Sequence, residues 1–352
     1  MNREVLAPPP DLTVVTGAAG WLGRALLHAY GGEGPPEAHR TGTVRALVHS
    51  PSDVESVASI SERVEVTVGD VADPRVLRRL FADAKGASVV HAAAVIHPRR
   101  VQEFGHTNVE GTRAVVEAAA AAGVGRLVHI SSNSPFGLNP TPGDCFRVDE
   151  PYRPYLGYGH SKMEAEIIVR TAAEQGLLES VVVRPPWFYG PYQPPRQTTF
   201  FRLVRTGRFP LFGQGENRRS MVYTENLALG IALAERAPTA ANKAYWIADP
   251  QPYEMREIVA TVRQALAQEG LEVSDRQVRL PSAVGRAAMR IDRVLQRAGR
   301  YQAQIHVLGE LSGTIACDVS AARMDLGYMP TVGLHEGMRR SIRWCLEQGV
   351  VL

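Results

Sequence analysis

The sequence lacks several features that would mark particular protein classes. Its three cysteines, Cys145, Cys317 and Cys345, are far apart and include no Cys-x-x-Cys pair, so neither a disulfide framework nor a structural zinc site is expected. So few thiols favour a reducing, cytoplasmic location. No run of about 18 apolar residues occurs, and the N-terminal residues lack the apolar core of a signal peptide. The sequence therefore predicts neither a transmembrane helix nor secretion.

The chain also lacks an excess of charge of either sign. Lysine and arginine number 39 and aspartate and glutamate number 36, which leaves a net charge of +3 over 352 residues. That balance is too small to suggest a nucleic-acid partner or a membrane partner. With 45% hydrophobic residues, the composition is that of a globular protein of about two domains, or of one large domain with an added lobe.

Short apolar runs alternate with helical segments in the first half of the sequence. The runs predict β-strands at residues 12–16, 44–48, 64–68, 88–91, 127–130 and 180–183. Between the strands, helices are predicted at residues 22–30, 74–81, 101–122 and 158–174, and a loop rich in glycine and proline is predicted at 31–43. Strands separated by helices indicate βαβ units and a parallel sheet that helices cover on both faces.

The second half is less regular and indicates a smaller lobe. Proline-rich residues 185–215 predict a loop with one short helix at 199–206. The expected architecture is a Rossmann-type, doubly wound parallel α/β sheet with a smaller, mainly helical C-terminal substrate lobe. Residues 11–184, with 216–249 returning to them, would form the dinucleotide-binding domain, and residues 185–215 and 250–352 would form the lobe. The further predicted elements are a strand at 244–247 and helices at 225–236, 253–268, 282–298 and 334–348.

The first predicted strand is followed by a glycine-rich turn, TGAAGWLG at residues 16–23. Gly17 would let the chain reverse, Gly20 would let the backbone approach a pyrophosphate, and Gly23 would let the helix pack on the strand. The helix N-terminus would then face the phosphates. The turn starts with Gly-x-x-Gly instead of the usual Gly-x-Gly, but its position in the first βα unit favours dinucleotide binding.

The end of the second predicted strand bears on the choice of cofactor. An acidic residue there would bind the ribose 2′-hydroxyl of NAD, but Arg45, His49 and Ser50 are the polar residues present and could instead meet a 2′-phosphate. The sequence therefore favours NADP(H), with NAD(H) as the alternative. Asp70 ends the third strand and has two interpretations that stay open: an acceptor for the adenine amino group, or a turn or helix-capping residue before Pro74.

A Tyr–Lys pair supplies candidate acid–base chemistry. Tyr158 and Lys162 are four residues apart and so share one face of a predicted helix. A nearby ammonium favours the phenolate, which would let Tyr158 exchange a proton with an alcohol or ketone oxygen. Three serines, Ser131, Ser132 and Ser134, follow the fifth strand at the carboxyl edge of the sheet, where open α/β sheets bind ligands. Ser132 is the preferred partner of the substrate oxygen, with the other two as alternates.

Taken together and in order, these motifs resemble the extended short-chain dehydrogenase/reductase family, the NAD-dependent epimerase/dehydratase group. The resemblance spans residues 12–350. It implies an NAD(P)-dependent oxidoreductase that acts on a small-molecule substrate. The motifs that carry it are TGAAGWLG at 16–23, GDV at 69–71, HAAA at 91–94, NVEGT at 108–112, HISSNSPFG at 129–137, YGHSK at 158–162 and VRPPWFYGP at 183–191.

The resemblance also implies roles for individual residues. Catalysis would rest on Ser132, Tyr158 and Lys162, while Asn108 would support the active-site strands. The helices that carry NVEGT and Tyr158 usually pair in this family, so a homodimer is expected. His91 is interpreted as a packed strand residue, and no metal site is expected. The residues implied in cofactor binding, with His49 from the strand argument, are Gly17, Gly20, Trp21, Leu22, Gly23, His49, Asp70, Val71, Ala92, Ala93, Ala94, Tyr158, Lys162 and Pro185.

The place of the chain within the family rests on fewer residues. Trp187 stands where sugar-nucleotide epimerases often have Asn, and Ser132 is not followed by the Asp-Glu pair of the dehydratases. Arg219 matches the arginine that binds the nucleotide pyrophosphate in epimerases. The segment 158–172 and the helix from Leu334 resemble 3β-hydroxysteroid dehydrogenase-type reductases. The candidate substrate-binding residues are Ser134, Trp187 and Arg219.

Three functions follow from these features. The first is a carbonyl reductase or alcohol dehydrogenase that exchanges NADP(H) and acts on a bulky, partly apolar substrate beside Trp187 and Phe188. The second is a sugar-nucleotide 4-epimerase that retains NAD and holds a diphosphate with Arg219. The third is a non-catalytic dinucleotide sensor, which the Ser132, Tyr158 and Lys162 set disfavours because a pure binder does not need it. The first is narrowly preferred.

Overall fold

Seven parallel strands form the central sheet of the computed structural model, which describes residues 6–98 and 100–352. Their order is β3-β2-β1-β4-β5-β6-β11, so the chain first builds outward on one side of β1 and then on the other. The order reverses between β1 and β4, at a topological switch point of the kind where such sheets bind ligands. The strands are β1 Leu12–Thr16, β2 Thr43–Val48, β3 Val64–Val68, β4 Ser88–His91, β5 Arg126–Ile130, β6 Ser180–Arg184, β7 Trp187–Tyr189, β8 Pro210–Phe212, β9 Arg218–Arg219, β10 Met221–Tyr223, β11 Ala244–Trp246, β12 Tyr253–Glu254 and β13 Val278–Leu280.

Helices cover both faces of this sheet because successive strand residues point to opposite sides. Val15 of β1 and Val90 of β4 pack with α1 and α7, whereas their neighbours Val14 and Val89 pack with α3, α4 and α5. This arrangement confirms the predicted doubly wound α/β fold. The helices are α1 Trp21–His28, α2 Val54–Ala58, α3 Pro74–Leu80, α4 Gly111–Ala121, α5 Leu156–Glu174, α6 Pro195–Arg205, α7 Thr224–Arg236, α8 Met255–Gln268, α9 Ser282–Arg297, α10 Ala303–Leu311, α11 Ser320–Leu326 and α12 Leu334–Glu347.

A second apolar core lies in the C-terminal lobe, which is mainly helical as predicted. Phe201 of α6, Ile258 of α8 and Met338 of α12 are buried together there. Two small sheets, β7 with β10 and β9 with β12, join this lobe to the rest of the chain, and a third, β8 with β13, lies within the lobe. The residue bounds given above for the two domains remain a prediction. No helix in residues 6–98 and 100–352 has the length and apolar character needed to cross a bilayer.

Several elements differ from the sequence prediction. The helix predicted at 199–206 begins earlier, at Pro195, because proline lacks an N–H and is well placed in the first turn of a helix. The helix predicted at 101–122 divides into a π-helical turn, Gly105–Glu110, followed by α4. Two short helical turns interrupt the predicted loop 31–43: Ala29–Glu33, which overlaps its start, and Pro36–Ala38, which lies within it. Helices α10 and α11 were not predicted, because both are shorter than three turns and lack a side-chain N-cap.

Candidate active site

The glycine turn lies at the carboxyl end of β1, at the switch point of the sheet. Gly17 has a φ of +71°, and a Cβ there would lie 2.7 Å from the backbone nitrogen of Ala93. A Cβ at Gly23 would lie 2.2 Å from the carbonyl oxygen of Gly17, so both positions need glycine. Gly20 precedes α1 and offers no capping side chain. The first amides of α1 are thus left without a side-chain cap at the point where a phosphate would approach.

Trp21 connects the glycine turn to the segment that follows β7. Its indole N–H donates to the carbonyl oxygen of Pro191 at 2.7 Å, and its ring centroid lies 4.6 Å from that of Phe188. The guanidinium carbon of Arg196 lies 5.8 Å from the same ring. The side chain of Leu22 is buried in the core, so Leu22 would contribute to phosphate binding through its backbone amide.

Asp70 makes a turn at the end of β3. Its carboxylate accepts from the Ala72 amide at 2.8 Å and lies 3.0 Å from Nε2 of His106. Partial burial raises the pKa of Asp70, but the Ala72 amide and His106 outweigh that effect and hold the pKa below its usual value. The residue that caps α3 is Asp73, which accepts from the Arg75 amide. Asp70 is therefore a turn residue and not the helix cap.

The polar residues at the end of β2 differ in whether their side chains form hydrogen bonds or ion pairs within the protein. Arg45 pairs with Glu65 at 3.1 Å and Ser50 bonds the Ser52 hydroxyl at 2.8 Å. His49 is exposed, and its charge is among the influences that lower the pKa of Asp70, so the two side chains are near one another. Val71 is buried against Gly111, where a Cβ would lie 2.7 Å from the Val71 side chain.

Asn108 ties the cofactor side of the site to the helix of the Tyr–Lys pair. Its amide accepts from the Val95 backbone N–H at 2.8 Å and donates to the Val95 carbonyl at 3.0 Å. The same nitrogen donates to the Ser161 hydroxyl at 2.9 Å. The chain just before Val95 contains Ala92, Ala93 and Ala94, and Ala93 donates its amide to the Thr16 hydroxyl at 3.2 Å. Asn108 therefore holds the alanine segment and α5 at a fixed separation.

Tyr158 lies in the first turn of α5 and faces Ser132. Burial raises the pKa of Tyr158 to about 12, while the hydroxyl of Ser132 and the charge of Arg196 act in the opposite direction. The Phe104 ring packs on the tyrosine at 5.9 Å between centroids. The sequence argument expected Lys162 to favour the phenolate, but the structure gives a phenol that keeps its proton at neutral pH. The difference arises because burial dominates and because the ammonium is directed elsewhere.

Lys162 points to the end of β5. Its Nζ donates to the Ile130 carbonyl at 2.7 Å and lies 3.4 Å from Nε2 of His129. The side chain is 2% exposed, and burial lowers its pKa to about 8 although Glu166 partly opposes the effect. Glu166 is itself paired with Arg184 at 2.7 Å in a fully buried ion pair. The amine of Lys162 therefore titrates close to neutral pH, and it lies beside the serines that follow β5.

The serines differ in their environment. Ser131 is buried, and its hydroxyl has no hydrogen-bond partner among the described residues. Ser134 is also buried, and its amide donates to the Ser132 hydroxyl at 3.1 Å, which fixes the orientation of Ser132. Pro185 follows β6 and is buried at the same edge. The structure thus brings Ser132 and Tyr158 together and keeps Lys162 next to them on the Ile130 carbonyl.

The other two predicted substrate-binding residues, Trp187 on β7 and Arg219 on β9, lie in two of the small two-stranded sheets. Trp187 is half-buried, donates its indole N–H to Gln197 at 3.2 Å and packs on Phe200 at 5.1 Å. Arg219 is buried on β9 and donates to the backbone carbonyl of Glu310, while its Nε has no partner among the described residues. Burial lowers the pKa of Arg219 to about 10, and Glu310 opposes this. The Glu310 charge also raises the pKa of Tyr158, so it links Arg219 to the catalytic side.

Sequence reasoning missed several residues around Tyr158. Arg196 interacts electrostatically with Tyr158 and Tyr301. The Tyr301 hydroxyl lies 2.7 Å from Nδ1 of His97, at hydrogen-bond distance. The proline pair before Arg196 is a helix-start signal that could have placed it at the sheet edge. His97 follows β4 and could have been found by its place at the carboxyl edge. No local pattern singles out Tyr301 or Glu310, because both come from the lobe.

His91 lies in the interior of the fold, as expected. Its Nδ1 is 2.7 Å from the Thr16 hydroxyl and its Nε2 is 2.9 Å from the Thr112 hydroxyl. Burial lowers the pKa of His91 to about 3, with the charge of Lys162 adding to the effect, so the ring is neutral. Within residues 6–98 and 100–352, no group of three His, Cys, Asp or Glu side chains is placed to hold a metal ion.

The reversal of strand order at β1 and β4, with a glycine turn at that point, is typical of Rossmann-type α/β folds. The chain belongs to the NAD dependent epimerase/dehydratase family, whose model matches residues 13–248. This result confirms the resemblance drawn from the sequence. The family and its relatives are enzymes that depend on a nicotinamide dinucleotide and include reductases, dehydratases and epimerases.

Several known proteins are similar along most of the chain. An uncharacterized protein, y4nL, of Sinorhizobium fredii is 45% identical over 344 residues, which is 96% of each chain. A 2-alkyl-3-oxoalkanoate reductase of Stenotrophomonas maltophilia is 31% identical over 337 residues, 93% of this chain and 97% of the relative. Among solved structures, gox2253 matches with a TM-score of 0.78 at 23% identity, covering 97% of this chain and 100% of that one, which shows the fold alone.

Proposed function

We propose that the protein is a reductase or dehydrogenase that transfers a hydride between NADP(H) and a secondary alcohol or ketone. The observation that carries this proposal is the pairing of Tyr158 with Ser132 at the carboxyl edge of the sheet, with the phenol protonated at neutral pH. A protonated phenol is the form that can give a proton to a carbonyl oxygen as it is reduced. The relatives named as ketone reductases, which match 93% of the chain, support the same reaction type.

The residues present fit a dinucleotide. The cradle made by Gly17, Gly20 and Ala93 leaves no room for a Cβ at Gly17, and the uncapped start of α1 faces the turn. The absence of an acid at the end of β2 and the exposed His49 support a preference for the 2′-phosphate of NADP(H). When bound, the reduced nicotinamide supplies the hydride.

In the proposed reaction, the hydroxyls of Ser132 and Tyr158 hold the carbonyl oxygen of the substrate. Tyr158 donates its proton to that oxygen as negative charge develops on it. Lys162 stays protonated below about pH 8, and its ammonium on the Ile130 carbonyl would place a positive charge at the edge of the sheet where negative charge develops. In the reverse direction the phenolate takes the proton back from the alcohol.

Arg196 supports a narrower choice of substrate. It is exposed and has no hydrogen bond or ion pair within the described residues, yet it acts electrostatically on Tyr158. A carboxylate on the substrate would pair with it while the carbonyl lies at Tyr158. The Phe104 ring beside Tyr158 gives the site an apolar side, which suits a bulky group. The proposed substrate is therefore a bulky ketone that carries an acidic group.

One observation favours a second function. Arg219 keeps a buried Nε without a partner, and the resemblance assigns this position to the pyrophosphate of a nucleotide sugar. A sugar-nucleotide 4-epimerase with retained NAD is the alternative function. In that case the same Tyr158 would take the proton from the sugar hydroxyl and return it.

The first test is the cofactor content of the purified protein, followed by titration with NADPH and NADH. Protein that carries no cofactor and binds NADPH more tightly supports the reductase. Protein that retains NAD through purification and does not exchange it would contradict the reductase proposal and support the epimerase. Turnover is then measured with bulky 3-oxo acids and with nucleotide sugars, using Tyr158→Phe as the inactive control.

A further inference from the structure

Helix α9 buries two polar residues and leaves several large apolar residues exposed to solvent. The residues that it buries are Gly285, Ala288, Asp292 and Gln296. Its largest exposed apolar side chains are Ile291 and Val294, which are 52% and 66% accessible to solvent, with Val284 at 36%. A surface helix normally turns its apolar stripe toward the core and its polar residues toward water. The outward apolar stripe of α9 therefore needs another explanation.

The buried polar side of α9 is fully engaged within the protein. Asp292 lies 2.7 Å from Nδ1 of His306 and accepts from the Tyr155 hydroxyl at 3.0 Å. Gln296 donates to Asp292 at 3.0 Å and accepts from the Gly157 amide at 3.1 Å. These bonds fix the rotation of α9 about its own axis, because turning the apolar stripe inward would break all of them. The stripe is thus held toward the outside by the same contacts that place α9 against the start of α5.

Next to this stripe is a row of arginines on α9. Arg286, Arg290, Arg293 and Arg297 follow at spacings of four, three and four residues, which places them on one side of a helix. All four are exposed, and in residues 6–98 and 100–352 none has a hydrogen bond or ion pair from its side chain. The net charge of +3 for the whole chain conceals this local concentration of positive charge.

The combination of an exposed apolar stripe with a row of unpaired arginines selects among partners. A second copy packed by two-fold symmetry would bring the same patch against itself, so that arginines would face arginines. A nucleic acid would match the arginines but would leave Ile291 and Val294 uncovered. An anionic lipid surface satisfies both features, since apolar side chains enter the interface while arginines pair with the headgroups.

We propose that the outer face of α9, formed by Val284, Ile291, Val294 and the four arginines, docks on the surface of a bilayer that contains anionic lipids. This is a peripheral contact and does not require a spanning helix. Because α9 also bonds Tyr155 and Gly157, just before Tyr158, docking places the candidate active site beside the lipid. The proposal does not depend on the reaction that the site catalyses, and its test needs no turnover.

The test is co-sedimentation of the full chain with vesicles of phosphatidylcholine, with and without phosphatidylglycerol, at low and at high salt. We expect binding to the anionic vesicles that weakens as salt screens the charges. Each arginine near such a surface contributes about five-fold to partitioning, so Arg286→Gln/Arg290→Gln should bind about 25-fold more weakly. Ile291→Ser/Val294→Ser tests the apolar stripe and should also weaken binding.

The matched control is Arg78→Gln/Arg79→Gln, which removes two exposed arginines from α3 and so lowers the net charge by the same amount. We expect this control to bind like the wild type, and thermal unfolding and NADPH titration show that each variant is folded. Three results would overturn the proposal: no preference for anionic vesicles, an equal loss in the α3 control, or a dimer in solution that Ile291→Ser/Val294→Ser dissociates. The last result would mean that the face is a protein interface.

Discussion

Replacing Lys162 by methionine should make the protein more stable at neutral pH although it removes a proposed catalytic group. The amine is 2% exposed, and burial lowers its pKa from 10.5 to about 8. That difference corresponds to about 3 kcal/mol of unfolding free energy lost at pH 7, because the folded protein keeps a buried charge. Methionine avoids this cost but leaves the Ile130 carbonyl without its donor, which costs about 1–2 kcal/mol. The net gain expected for Lys162→Met is about 1–2 kcal/mol.

The pH dependence separates this explanation from a simple packing effect. Between about pH 8 and pH 10.5 the unfolded chain binds more protons at Lys162 than the folded chain does, so the wild type gains stability relative to the variant as pH rises. The advantage of Lys162→Met is therefore complete below about pH 8 and is lost above about pH 10.5, where both states of the wild type carry a neutral amine.

The assay is denaturant unfolding of wild type, Lys162→Met and the control Lys85→Met at a series of pH values. Lys85 is exposed, so its replacement should change neither the unfolding free energy nor its pH dependence. A variant that is less stable than wild type at pH 7, or one whose difference from wild type stays constant through this pH range, would refute the reasoning. Either outcome would mean that the folded protein carries the charge at little cost.

Three further predictions concern the site and the assembly. Tyr158→Phe should lower kcat/KM for ketone reduction by about a hundred- to ten-thousand-fold while the Kd for NADPH stays within about three-fold, because the proton donor is lost and the dinucleotide cradle is not; fluorescence titration and steady-state kinetics measure both, and an active variant would remove Tyr158 from catalysis. Arg196→Gln should raise KM about ten-fold or more for a ketone with a carboxylate but not for its amide analogue; Arg202→Gln on the same helix is the control, and an equal effect on both substrates would argue against ion pairing. Ile167→Glu on the exposed side of α5, where Ile167 is 44% accessible, should convert the expected homodimer to a monomer in light scattering, and an unchanged mass would place the interface elsewhere.

Much of the sheet could be predicted from the sequence because its signals are local. The apolar runs that become β1, β4 and β5 are short and bounded by glycine or polar residues, and these strands are buried on both faces of the sheet. The glycine turn could be recognised from its spacing alone, although the clash that a Cβ would make at Gly17 comes from Ala92 and Ala93, just after β4. The fold class followed from these elements and their alternation with helices.

The finer features of the candidate site depended on three-dimensional contacts. Asp70 and Asp73 are three residues apart, and nothing local shows that the second caps α3 while the first bonds His106. The direction of the Lys162 side chain was not predictable either, because the Ile130 carbonyl that accepts its hydrogen bond lies on a different element. Arg196 and Glu310 approach Tyr158 only through the packing of the lobe, so no spacing along the chain could reveal them.

Asn108 has a consequence for how the molecule can move. One side-chain amide binds both backbone groups of Val95 and the hydroxyl of Ser161, so it joins the segment after β4 to the helix that carries Tyr158 and Lys162. The wall beside the glycine turn and the catalytic helix must then shift as one rigid body. Any opening that admits or releases a substrate would then leave this unit intact, and hydrogen exchange at the Val95 amide should be slow.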